Sequence, residues 1–262
     1  IYTLSLHDAL PISSLGSFNE DFYEQAIIEH MVDKLGYEHL YGPDVRRTDR
    51  LYHDVFLLDV LQSSLWRINR ELPVQATSEA IRRLNAVEAG SLEQRNEVFS
   101  DYVQNGVEVR FFDQEKGEER NDIIRLIDYE EPEKNTFQVV NQWTYVEHEN
   151  KRPDIVVFVN GIPLVVFELK SPSREETDAS EAYLQLRNYL KAIPSFFVPN
   201  AFCVMTDMAE TRVGTISSSE DRFSEWKSAD GDYTKNNTRW QTTIDGVRSE
   251  EHTSELQSPS LI

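Results

Sequence analysis

Arg152-Pro153-Asp154-Ile155-Val156-Val157-Phe158-Val159-Asn160-Gly161-Ile162-Pro163-Leu164-Val165-Val166-Phe167-Glu168-Leu169-Lys170 is the stretch on which the reading of this chain turns. Two runs rich in β-branched residues, Asp154–Val159 and Leu164–Leu169, flank Asn160-Gly161, the strongest short-range signal for a β-hairpin. Each run is otherwise almost wholly apolar, as a strand covered on both faces would be. Charge appears only at the open end, with Asp154 where the first strand begins and Glu168 and Lys170 where the second ends. Ionised groups there are costly to bury unless paired, and a divalent cation is one way to pair them.

The length of the turn decides whether those groups meet. A two-residue loop pairs Val159 with Ile162, sets Asp154 opposite Phe167, and leaves Glu168 on the other face. A three-residue loop, with Gly161 or Ile162 absorbing a bulge, sets Asp154 across from Glu168 and brings Lys170 onto their face. Opposed like charges destabilise a sheet unless neutralised, so a shared cation site requires the odd loop.

Around this hairpin lies a chain of 262 residues with 39% hydrophobic and 11% aromatic content, enough for a substantial globular core. The single cysteine, Cys203, excludes a disulfide framework and fits a reducing compartment. No apolar run is as long as a membrane span and no secretion signal is present, so the expected location is the cytoplasm, with no membrane partner. A net charge of −20 opposes long-range attraction to nucleic acid, so either the chain is not a nuclease or its DNA is delivered by other domains or subunits. Residues 1–12 and 248–262 resemble translated sequencing adapters and are excluded from fold reasoning.

In chain order, Glu20–Leu35 has helical periodicity with Asn19 as N-cap and Gly36 as stop. A polar helical region follows, with Asp54–Asn69, Ser78–Asn85 and Ser91–Gly106 separated by Pro73 and Gly90. Strands are expected at Val107–Asp113, Ile123–Asp128 and Thr136–Glu147, building one side of a sheet that leads into the hairpin. Gln142 falls in the last of these without an evident chemical role. After a polar loop to Asp178, Glu181–Lys191 reads as a helix on which Gln185 and Tyr189, four apart, share a face. Phe202–Thr206 and Glu210–Ile216 read as strands, with Cys203 a packed thiol. Ser217–Asn237 reads as a linker, with Trp226 and Trp240 as isolated aromatics. No G-x-x-x-x-G-K-[ST] sequence and no zinc-spaced Cys/His cluster occurs.

Pro153-Asp154 followed by Glu168-Leu169-Lys170 spells Pro-Asp…Glu-x-Lys. With Asn141-Gln142-Trp143 ahead of it and Val166–Pro172 around its second half, the chain from about Phe18 to about Trp226 resembles the amino-terminal nuclease region of type I restriction-modification R subunits. That region belongs to the PD-(D/E)xK restriction-endonuclease-like superfamily. The resemblance implies an α/β fold, a mixed β-sheet flanked by helices, over residues 13–216. A helical insertion spans about 46–106, and 217–247 is a linker or the start of the next region. It implies Mg²⁺-dependent hydrolysis of DNA phosphodiesters, with Asp154, Glu168 and the Leu169 carbonyl as metal ligands and Lys170 acting on the water or the phosphate. Glu24 matches a helical Glu that approaches the metal, while Gln185 and Tyr189 match a Q-x-x-x-Y motif lining the cleft. ATP, used by a motor downstream, and the methyltransferase and specificity subunits complete the implied enzyme.

On their own, Asp154, Glu168 and Lys170 equally describe a structural ion pair at a strand end. Two other functions compete: a stand-alone repair nuclease of the same superfamily, and a non-catalytic module docking a motor to its partner subunits. The downstream sequence separates the first, and Mg²⁺ binding the second.

Overall fold

A computed structural model of the chain describes residues 20–45, 52–87, 90–170, 179–207, 210–225 and 240–248. Asn19, the start of the helical insertion at 46–51, the loop 171–178, Trp226 and the adapter-like ends 1–12 and 249–262 lie outside the described residues. The chain begins with helix α1 (Glu20–Asp33) and strand β1 (Glu38–Tyr41), then helices α2 (Leu58–Ile68), α3 (Val74–Leu84) and α4 (Leu92–Asn105). Strands β2 (Val107–Asp113), β3 (Glu118–Ile124), β4 (Phe137–Asn141), β5 (Tyr145–Val146) and β6 (Asn150–Lys151) follow. The hairpin is β7 (Ile155–Val159) and β8 (Ile162–Leu169); after it come α5 (Ala179–Ala192), β9 (Phe202–Thr206), β10 (Thr211–Gly214), β11 (Ser224–Glu225) and α6 (Trp240–Arg248).

Seven strands form one mixed sheet in the order β1-β4-β7-β8-β9-β10-β11. The β1/β4 and β8/β9 pairs are parallel and the other neighbours antiparallel, the helix-flanked mixed sheet expected. Because β7 and β8 are central, their alternate residues feed two cores. Ile155, Val157, Val165 and Phe167 pack with Tyr23, Ile27 and Met31 of α1 and with the inner faces of α2, α3 and α4. Val156, Phe158 and Val166 pack on the other side with Ala182, Leu186 and Tyr189 of α5.

Four expectations need correction. β2 and β3 make a separate two-stranded ribbon instead of one side of the main sheet. Alternate residues Val107, Val109 and Phe111 face the helices, so the ribbon caps α3 while its other face meets solvent. β3 also starts at Glu118, directly after the Lys116-Gly117 turn, and ends at Ile124, because the register Asp113↔Glu118 to Val107↔Ile124 uses up the length of β2. The strand expected over Thr136–Glu147 breaks after Asn141, where Gln142 takes φ +56°. Finally, Trp240 is not isolated: it opens α6 and meets the rings of Tyr23 and His30 edge-on at 6.0 and 5.3 Å.

The hairpin resolves the question of loop length in a way neither alternative foresaw. The turn is the two-residue one, with φ +52° at Asn160 and +79° at Gly161, and Val159 pairs with Ile162. Phe158 pairs with Pro163, but Val157 pairs with Val165, so Leu164 is an extra residue in β8. The bulge sits at Leu164, not at Gly161 or Ile162. Proline lacks an amide hydrogen and tolerates a bulge, and the Leu164 carbonyl is taken up by the Ala201 amide at 2.8 Å and Asn200 Nδ2 at 3.2 Å. The register beyond it is that of an odd loop.

Asn160 anchors the turn as well as forming it. Its fully buried side chain donates to the Leu126 carbonyl (2.9 Å) and Asn135 Oδ1 (2.8 Å) and accepts from the Thr136 amide (2.8 Å). A Cβ on Gly161 would lie 2.6 Å from the Leu57 carbonyl oxygen and 2.7 Å from the Leu61 nitrogen, both backbone atoms. Gly161→Ala should therefore destabilise the fold by about 2–4 kcal/mol, combining a left-handed backbone with a clash that cannot relax. Urea unfolding midpoints measure this; a loss under about 0.5 kcal/mol would show that the turn is not a tight constraint.

Candidate active site

Asp154 immediately precedes β7, Glu168 and Leu169 close β8, and Lys170 follows. The paired register runs outward to Ile155↔Phe167, so the next step sets Asp154 across from Glu168. Val156 and Val166 point into the core under α5, and Asp154 and Glu168, each two residues away, share that face. Asp154 Oδ2 accepts the Leu169 amide at 2.7 Å. In an extended strand the N–H and C=O of one residue point to the same edge, so the Leu169 carbonyl also faces Asp154. Lys170 Nζ donates to Glu168 Oε1 at 2.6 Å, and the Lys170 amide donates to the Thr206 carbonyl on β9 at 2.9 Å. Asp154, Glu168, Leu169 and Lys170 thus converge.

Glu168 is only 3% exposed, and its Oε2 has no hydrogen-bond partner among the described residues. Burial, reinforced by the facing Asp154 carboxylate, pushes the Glu168 carboxyl up to about 8, against the opposing pull of Lys170. Tyr189 of α5 approaches the same carboxylate and favours its charged form without reaching hydrogen-bonding geometry at Oε2. Its hydroxyl donates to the Arg152 carbonyl at 3.5 Å and is engaged by Gln185 one turn earlier. Burial and then the Glu168 charge hold the Tyr189 hydroxyl well above the usual phenol range. The expected Gln185–Tyr189 pair therefore lies against the carboxylates. Cys203, whose thiol burial pushes up to about 12, donates to Asn200 Oδ1 at 3.4 Å and packs as expected.

Glu24 is placed differently. Its Oε1 accepts from Asn141 Nδ2 at 2.7 Å and its Oε2 from Gln142 Nε2 at 3.2 Å. Asn141 pairs with Ile155, which faces α1, so Glu24 reaches this strand end from the opposite side of the sheet. Among the described residues no three His, Cys, Asp or Glu side chains gather as a metal-holding group. The sequence marks neither the strand break at Gln142 nor its contact with Glu24, which only the structure brings together.

Two carboxylates and a main-chain carbonyl are the hard oxygen donors that Mg²⁺ takes, and Glu168 Oε2 is buried with no hydrogen-bond partner among the described residues. The residues fit the ion. Without it, Glu168 should make stability depend on pH. Below about 4.5, its ordinary value, the folded and unfolded states both carry the proton. Between there and about 8 the folded state keeps a proton that the unfolded state releases, so stability falls as pH rises, and above 8 the full penalty applies. In EDTA, Glu168→Gln should gain stability relative to wild type between pH 5 and pH 8.5, by on the order of 3 kcal/mol in urea unfolding. A difference that does not change with pH would show that Glu168 is ionised throughout.

Residues 17–222 match the family model described as the type I restriction enzyme R protein N terminus. The chain is 32% identical to the type I restriction enzyme HindI endonuclease subunit of Haemophilus influenzae over 219 residues, 81% of this chain and 20% of that protein. It is 29% identical to the putative type I restriction enzyme MjaIXP endonuclease subunit of Methanocaldococcus jannaschii, over 82% of this chain and 21% of the relative. The chain spans about a fifth of the length of these curated relatives. With the match covering most of its length, the chain belongs to the family of type I restriction enzyme R protein N-terminal regions.

Proposed function

We propose that this region is the Mg²⁺-dependent endonuclease domain of a type I restriction enzyme R subunit, hydrolysing DNA phosphodiesters. The observation that carries the reading is the opposed pair Asp154 and Glu168, with Glu168 Oε2 buried without a hydrogen-bond partner among the described residues and Lys170 in contact. Asp154, Glu168 and the Leu169 carbonyl hold the cation. When bound, Mg²⁺ supplies Lewis acidity at the phosphate and a water of lowered pKa. Lys170, held at the rim by Glu168 Oε1, would orient an attacking water or meet the charge that builds on the phosphate. Gln185 and Tyr189 secure the α5 wall of the cleft, and Glu24 contributes from the α1 side.

The acidic chain offers no general attraction for DNA, so delivery falls to the rest of the enzyme. An ATP-driven motor beyond this region translocates the duplex before cleavage, and the specificity and methyltransferase subunits hold the recognition site. The complex would act on DNA in the cytoplasm; no helix among the described residues is long and apolar enough to cross a membrane.

In the assembled enzyme, Asp154→Ala, Glu168→Ala and Lys170→Ala should each lower DNA cleavage at least about a hundredfold, with ATP hydrolysis retained. A gel assay of plasmid linearisation alongside phosphate release measures both. Cleavage by the wild-type enzyme in EDTA, or by the Asp154 variant at the wild-type rate, would refute the assignment.

A further inference from the structure

Gln142 adopts φ +56°, a left-handed conformation that is uncommon for side-chain-bearing residues. Asn160, at φ +52°, does so because a tight hairpin turn demands it and asparagine tolerates it. Gln142 follows a strand and belongs to no such hairpin. A strained residue beside a reactive centre directs attention to what its side chain and amide do there. The Gln142 amide donates to the Asp154 carbonyl at 3.3 Å, while its Nε2 donates to Glu24 Oε2 at 3.2 Å. One residue thereby ties the main chain of one acidic residue to the carboxylate of another.

Asn141 completes the arrangement. A carboxylate only accepts, so Asn141 turns Nδ2 to Glu24 Oε1 at 2.7 Å and leaves Oδ1 to accept from His39 Nε2 at 2.9 Å, which fixes the proton of His39 on that nitrogen. Behind them, a Cβ at Gly42 would fall 2.6 Å from the Gln142 carbonyl oxygen and 2.8 Å from that of Asn141. The backbone bend is therefore packed in place from the β1 side, and its geometry is over-determined in the way that maintained strain requires.

We propose that Asn141 and Gln142 are positioning residues of the cation site, fastening Glu24 and Asp154, which approach from opposite faces of the sheet, in one fixed relation. The proposal rests on the nuclease reading above. A purely structural clamp at the end of β4 would act on stability; a positioning pair acts on cation affinity at unchanged stability. Residues that orient metal ligands from behind typically change affinity or activity by about 10–100-fold.

Gln142→Gly separates these outcomes, because glycine adopts this φ without strain while losing the amide. In the full chain, Gln142→Gly should unfold in urea at or above the wild-type midpoint yet bind Mn²⁺, followed by calorimetry and electron paramagnetic resonance, about tenfold more weakly. Asn141→Ala should weaken Mn²⁺ similarly. Gln142→Asn, which keeps an amide and tolerates the conformation, should recover part of the loss. In the assembled enzyme, half-saturating Mg²⁺ for cleavage should rise by the same factor in Gln142→Gly with kcat little changed. Wild-type Mn²⁺ affinity in Gln142→Gly and Asn141→Ala overturns the positioning role while leaving the nuclease reading intact. Wild-type Mn²⁺ affinity in Asp154→Ala overturns the nuclease reading itself.

Discussion

A single extra residue, Leu164, decides which side chains share a face at the far end of β7 and β8. Side chains alternate along a strand, so a one-residue shift in pairing exchanges the two faces of everything beyond it. The Asn160-Gly161 turn alone sets Asp154 against Phe167; the bulge converts that register into one that opposes Asp154 to Glu168. The elements that hold the bulge are not ornamental. Pro163 gives up no amide bond there, and the Leu164 carbonyl finds replacement donors in Asn200 and Ala201 where β9 begins. Neighbouring β9 then runs parallel to β8 and accepts the Lys170 amide, so one sheet fixes all three charged residues.

Opposing two carboxylates inside a covered sheet is unfavourable unless something of opposite charge stands between them. The surrounding structure raises that cost. Tyr189 and Leu186 close the α5 side, and Glu168 is left 3% exposed. Structures that keep such an arrangement do so at functional sites more often than elsewhere. A hydrophobic pair in place of Asp154 and Glu168 would pack the same strand ends without the penalty.

How far the sequence could be read follows from which interactions were local. The hairpin, the strand Phe202–Thr206 and the Gln185–Tyr189 face were legible because their signals lie within a few residues: a turn pair, an apolar run, a helical spacing. The opposition of Asp154 and Glu168 could be posed only as a condition on loop length, because the bulge that satisfies it depends on partners at Asn200 and Ala201 far along the chain. The same holds for β2 and β3, whose alternation announced strands but not which sheet they would join. Trp240 read as isolated because its neighbours Tyr23 and His30 lie two hundred residues upstream on α1. Gln142 carried no readable role for a related reason. Its bond to Glu24 becomes visible only once α1 is laid across the end of β4.

The contact between Lys170 and Glu168 is where a structural and a catalytic account of these residues differ. Were the pair there to stabilise the fold, the ammonium would be expected to compensate the carboxylate, holding Glu168 low and satisfying both of its oxygens. Neither holds: burial and Asp154 outweigh Lys170, so the carboxyl is driven up to about 8, and Oε2 is left with no partner among the described residues. Of the two Glu168 oxygens the ammonium contacts Oε1, and it remains partly exposed at the rim, at 18%. An ion pair that leaves half of its carboxylate unsatisfied and its cation at the solvent edge is poorly designed as a strut. It agrees better with the proposed nuclease site, in which a bound cation would supply the remaining positive charge and the lysine would stand at the edge facing a substrate phosphate.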